Sequence, residues 1–141
     1  MNKEKFLKEY FRQQEKLISF SDEDIKNLIS TSELMLEAHK KNKKTLIFGN
    51  GGSAAIASHF SVDITKNARV RCTNYNESDL LTCFSNDFGY EKWVEKAVEF
   101  YADPEDILIL ISASGSSPTL DAKIQTSADN ASFSDYITFS Q

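Results

Sequence analysis

Sulfur is scarce in this chain. Its two cysteines, Cys72 and Cys83, lie eleven positions apart, with no CxxC pair and no Cys/His cluster around either. That gives no support to a disulfide framework or a cysteine-based metal centre and predicts reduced, mostly buried thiols. Positive charge is not in surplus either: 16 Lys and Arg stand against 21 Asp and Glu, a net charge of -5. A nucleic-acid partner is therefore not expected. No stretch approaches the roughly 18 apolar residues of a membrane span. The first twenty residues interleave Lys, Glu, Arg and Gln with apolar positions and contain no secretory h-region. The expected address is the cytoplasm, without a membrane partner. Also missing are GxxxxGKS/T and GxSxG, which leaves kinase-type and serine-hydrolase chemistry unsupported.

What is present is a balance of 40% hydrophobic and 26% charged residues over 141 positions. This suits one domain that buries about two-thirds of its unfolded surface without a staple. Residues 1–44 read as two amphipathic helices. Phe6, Leu7, Tyr10, Phe11, Leu17 and Ile18 share one stripe at spacings of three and four. Ser21 then offers an N-cap hydroxyl ahead of Asp22, Glu23 and Asp24, which suit the positive end of a helix dipole. Ile25, Leu28, Ile29, Met35 and Leu36 form the second stripe, and Lys40, Lys41, Lys43 and Lys44 read as its solvated end. His39 is expected as a packed or interfacial histidine. This segment is expected to pack on the core, yet its apolar surface exceeds what a small sheet needs covered, which predicts a homo-oligomer.

From Thr45 the texture changes. Residues 45–49 read as a buried strand, and 106–111 as a stronger one because they are apolar on both faces. Between them, 54–66 and 88–102 are helical in composition and 70–75 is a strand candidate. The order βαβαβ predicts a parallel sheet covered on both faces, with ligand at the carboxyl ends of its strands. Further on, Pro118 is well placed to begin a helix, 126–134 reads as loop, and 136–139 as a last strand.

Two loops carry the chemistry. Asn50, Gly51, Gly52 and Ser53 lie between a strand and a helix, where glycines let the backbone turn tightly and the helix start offers N–H groups to an anion. Ser112, Ala113, Ser114, Gly115, Ser116 and Ser117 follow the strand read over 106–111 and would emerge at the same edge. Neither loop contains Lys or Arg, so an anion there would be held by neutral donors, as in an exchangeable phosphorylated-metabolite site. An alternative stands beside this reading. Gly49, Gly51 and Ala54 satisfy a relaxed dinucleotide fingerprint, and Glu77 sits near the place of a ribose-binding acid.

The glycine loop, His59-Phe60, Asn86-Asp87-Phe88-Gly89 and the serine loop together resemble the sugar isomerase (SIS) domain family, and within it the phosphoheptose isomerases. The resemblance implies a three-layer αβα sandwich with a mainly parallel sheet, preceded by the two N-terminal helices: 1–44 helical, 45–141 the SIS-like core. It implies a homotetramer or dimer and interconversion of sedoheptulose 7-phosphate with a seven-carbon aldose phosphate for surface-polysaccharide precursors. No nucleotide cofactor is expected. A phosphosugar-binding module without catalysis is the alternative. Matched by position, Asn50, Gly51, Gly52, Ser53, Asn86, Asp87, Ser112, Ala113, Ser114 and Ser117 would contact substrate. The family places a His and, four residues later, a Glu on the helix after the glycine loop, associated with zinc and with proton transfer. His59 matches the first; the second is Asp63, on the same helix face. The resemblance thus assigns catalysis and metal binding to His59 and Asp63. The family's C-terminal helix, with a Gln and a His, has no match after Leu120. The core therefore reads as C-terminally incomplete, either an incomplete version of a longer protein or a shortened member.

Overall fold

Asn2 and Ser21 start the first two helices by side-chain capping. In α1 (Lys3–Leu17), the Asn2 side-chain carbonyl accepts from the N–H groups of Glu4 and Lys5. In α2 (Asp22–Lys40), Ser21 Oγ accepts from Asp24 N while Asp24 Oδ2 accepts from Ser21 N, a reciprocal capping box. The computed structural model describes residues 2–17, 19–112, 123–126 and 134–138. Ile18, Ala113, Ser114, Ser117 and the helix start expected at Pro118 lie outside them.

The sheet is built on β1 (Thr45–Gly49), whose five residues are all buried. It lies between β2 (Cys72–Thr73) and β3 (Ile107–Ile111), parallel to both, with Thr45 opposite Ile107 and Gly49 opposite Ile111. Next, β4 (Lys123–Thr126) runs antiparallel to β3, and β5 (Ser134–Thr138) antiparallel to β4, giving the order β2-β1-β3-β4-β5. The first three strands form the parallel part, and the last two add an antiparallel edge.

Alternation along the strands divides the core into two sides. Leu46, Phe48 and Leu108 pack on Trp93, Ala97 and Val98 of α5 (Trp93–Tyr101) and on Leu80, Leu81 and Phe84 of α4 (Ser78–Phe88). Ile107 and Ile109 face the other way, against Met35 and Ala38 of α2 and Phe60 of α3 (Gly52–Asp63). The result is a three-layer sandwich. By contrast, Phe6, Leu7, Tyr10 and Phe11 of α1 are exposed in the single chain, as are Ile25, Leu28, Ile29 and Leu36 of α2.

Several sequence expectations change. The strand expected over 70–75 is only two residues long, because Asn74 and Asn76 leave the sheet to hydrogen-bond Ser61, Ser58 and the Ala54 carbonyl on α3. The helix expected over 88–102 is broken at Gly89 (φ 93°), followed by a 3-10 turn (Tyr90–Lys92) and then α5. Residues 78–88, unassigned from the sequence, form α4. The helical expectation over 54–66 passes at Ile64 into a π-helical turn (Ile64–Ala68). Cys83 is exposed on α4 rather than buried. Cys72 is half-buried, and that burial raises its thiol to about 12.

At the amino ends of β1 and β3, Asp106 is 1% exposed and accepts from Lys44 N, Lys44 Nζ and Asp103 N. Lys44 Nζ also reaches Asp103 at 2.7 Å. This cluster ties the end of α2 to the chain entering β3, at the edge opposite the glycine loop.

Candidate functional site

The glycine loop is forced into shape where β1 meets α3. A Cβ on Gly49 would lie 2.5 Å from the Ser53 backbone carbonyl and 2.8 Å from Ala54 N. Only glycine lets the strand end approach the first helical turn so closely. Gly51 has φ 55° and ψ -120°, the backbone of the first central residue in a type II′ turn, where glycine is favoured. Ser53 N and Ala54 N donate back to the carbonyls of Asn50 and Gly51. The N–H groups of Gly51 and Gly52 make no hydrogen bond among the described residues, and the space beside both Cα atoms is open. Two unpaired amides at a helix start with free space above them can take an anion.

Replacing Gly49 by alanine is expected to destabilise the domain by about 3 kcal/mol, near the top of the usual overpacking range, because backbone rather than a flexible side chain would have to move. Thermal unfolding followed by circular dichroism measures this; an unchanged midpoint would mean that the loop shifts freely.

Ser112 leaves β3 directly after Ile111, and Asn50 leaves β1 directly after Gly49. Since Gly49 and Ile111 are register partners on parallel strands, both loops start at one rim. Asn86 and Asp87 are exposed in the last turn of α4, where Asn86 Nδ2 donates to Asp87 Oδ1 at 2.9 Å. The corner following them reaches the glycine loop, because Tyr90 Oη donates to Asn50 Oδ1 at 3.4 Å. Sequence reasoning missed Tyr90; its signal was the glycine just before it. Also missed was the polar network of Ser58, Ser61, Asn74 and Asn76 that anchors α3. The open groove along α1, lined by Asn2, Glu4, Lys5, Lys8, Glu9 and Arg12, contains none of the candidate residues.

His59 and Asp63 meet each other on α3, with Nε2 3.3 Å from Oδ2. They are well exposed, His59 at 81% and Asp63 at 49%, and His59 is roughly 10 Å along the helix from Gly52. No contact among the described residues joins the pair to the rim. The family resemblance implies zinc, but no third His, Cys, Asp or Glu gathers with them among the described residues. Two donors fall short of the three protein ligands of a catalytic zinc site, so these residues alone do not fit the metal.

A mixed sheet whose parallel part carries a glycine turn after β1 and Ser112 after β3, both at the carboxyl ends of adjacent strands, defines an α/β domain of the class that takes ligands at that rim. Comparison with known proteins narrows the class. Residues 9–129 match the family described as the SIS domain, and the chain belongs to that family. The phosphoheptose isomerase of Aliarcobacter butzleri is 30% identical over 133 residues, covering 90% of this chain and 70% of that protein. That of Trichlorobacter lovleyi is 35% identical over 100 residues, covering 67% of this chain and 51% of that protein. The solved phosphoheptose isomerase of Neisseria gonorrhoeae superposes with a TM-score of 0.66 at 28% identity, over 83% of this chain and 64% of that one. The chain thus spans only part of its relatives' length, about half in the case of the Trichlorobacter protein.

Proposed function

We propose that the protein is a phosphoheptose isomerase that interconverts sedoheptulose 7-phosphate with a seven-carbon aldose phosphate, in the cytoplasm, for surface-polysaccharide precursors. The observation that carries this reading is the shared rim. The glycine turn and Ser112 leave register partners on adjacent parallel strands, and the Gly51 and Gly52 amides are unpaired among the described residues. Uncharged donors at a helix start hold a phosphoryl group reversibly, as turnover requires. In this reading Asn50, Gly51, Gly52 and Ser53 grip the phosphate with Ser112, Ala113, Ser114 and Ser117, while Asn86 and Asp87 take sugar hydroxyls.

Aldose-ketose interconversion moves a proton from the carbon beside the carbonyl to its neighbour through an enediol(ate), and a carboxylate is a usual base for it. The family resemblance gives that role to Asp63, with His59 3.3 Å away as its partner. No step is routed through a metal. The exposed stripe of Phe6, Leu7, Tyr10 and Phe11 on α1 supports assembly as a homotetramer or dimer.

The test is turnover of sedoheptulose 7-phosphate by the full-length protein, alongside its melting temperature with and without that sugar. Turnover with stabilisation supports the reading. Stabilisation without turnover replaces the isomerase reading with a binding module, and the absence of both turnover and stabilisation contradicts the phosphosugar proposal altogether.

A further inference from the structure

Tyr90 is an exposed tyrosine on a rigidly held corner, and its phenol meets a side chain of the candidate site. Gly89 closes α4, with its N–H donating to the Ser85 carbonyl, and turns the chain at φ 93°. Lys92 N then donates to the Gly89 carbonyl at 3.0 Å, and Trp93, 1% exposed, anchors the start of α5 in the core. Tyr90 itself is 56% exposed, so packing does not explain its position. Its hydroxyl donates to Asn50 Oδ1 across 40 residues of sequence, at a distance of 3.4 Å.

We infer that Tyr90 is a positioning residue for phosphosugar binding: by holding the Asn50 carboxamide oxygen, it turns the two Nδ2 hydrogens toward the mouth of the glycine loop, where phosphate or sugar oxygens accept them. The inference rests on the phosphosugar reading of the rim. An Asn side chain has one acceptor oxygen and two donor hydrogens on its nitrogen. Fixing the oxygen on one side fixes the donors on the other. Without the phenol the carboxamide rotates freely, and the ligand must order it on binding.

The experiment is a double-mutant cycle on the full-length protein, with sedoheptulose 7-phosphate as the titrant in calorimetry. Tyr90→Phe should weaken binding about fivefold, the size of one neutral hydrogen bond, raising KM while leaving kcat within about twofold. In an Asn50→Ala background the same change should have almost no effect, because Tyr90 acts through Asn50. The Asn50 side-chain NH2 resonances should also shift in Tyr90→Phe before any ligand is added. Equal loss in both backgrounds, or unaltered affinity in Tyr90→Phe, overturns the inference while leaving the phosphosugar reading in place. Failure of the unaltered protein to bind the sugar phosphate removes both.

Discussion

Asp63→Asn is expected to lower kcat for sedoheptulose 7-phosphate isomerisation by about 10²- to 10⁴-fold, the usual worth of a positioned general base. The substitution keeps the shape and removes only the ability to take a proton. Asp63 is half exposed and its contact with His59 is one exposed i,i+4 pair, worth at most about half a kcal/mol. The melting temperature should therefore barely move, which separates lost chemistry from lost fold. Asp63→Glu is informative in the other direction. It restores the family's residue and advances the carboxylate by on the order of 1.5 Å, where a misplacement of about 1 Å costs roughly 100-fold. This variant keeps a group that can take the proton, so it should turn over faster than Asp63→Asn even where the shift costs rate; initial rates of all three proteins decide the matter. Asp63→Asn turning over at the unaltered rate would remove Asp63 from the mechanism.

The largest effect on stability is expected at the opposite edge of the sheet. Asp106→Ala should cost about 3–5 kcal/mol, the range for breaking a buried ion pair by removing one partner. The carboxylate is 1% exposed and serves three donors, Lys44 N, Lys44 Nζ and Asp103 N. Its loss leaves two backbone N–H groups without their acceptor and a Lys44 ammonium, with 17% side-chain exposure, paired only with Asp103. For a domain of this size the midpoint should fall by roughly 10 °C or more.

The same cluster sets a pH limit. Burial pulls the Lys44 ammonium down, but hydrogen bonds and charge from Asp103 and Asp106 outweigh it, so the net shift is upward from the ordinary 10.5. A raised value means that stability from Lys44 is complete below pH 10.5 and is lost as pH climbs through the raised value. Lys44→Met should therefore flatten the alkaline limb of the stability profile in chemical denaturation. An alkaline limb identical in both proteins would contradict this.

Where the sequence was legible, strong local signals and tertiary packing agreed. The run at 45–49 is apolar enough to be buried on both faces, and it is β1 to the residue. Ser21 followed by three acids marked the α2 cap correctly. Less was legible where a polar stretch takes its structure from distant partners. The α4 segment contains Ser78, Thr82, Ser85, Asn86 and Asp87, which favour turns in isolation. It becomes helical because Leu80, Leu81 and Phe84 meet Phe48 and Trp93 from other parts of the chain. The short β2 has a similar cause, since Asn74 and Asn76 bond to α3 rather than continue the ladder.

For the candidate site, the glycine loop was legible because glycines at a strand end carry a local backbone meaning; of the serine loop only Ser112 falls among the described residues. The Tyr90 contact was not legible, because it joins positions 40 residues apart. Nor could the spacing of His59 and Asp63 give their exposure, which depends on what packs against the outer face of α3.

The central claim is that the glycine turn and the serine loop together hold a phosphoryl group. A crystal structure of the full-length protein with sedoheptulose 7-phosphate tests it most directly. The account predicts phosphoryl oxygens about 2.9 Å from the N–H of Gly51 or Gly52, with hydroxyls of the loop that begins at Ser112 on the other side of the same group. Phosphate bound elsewhere, beside His59 and Asp63 or along α1, with the Gly51 and Gly52 amides facing only water, would contradict it.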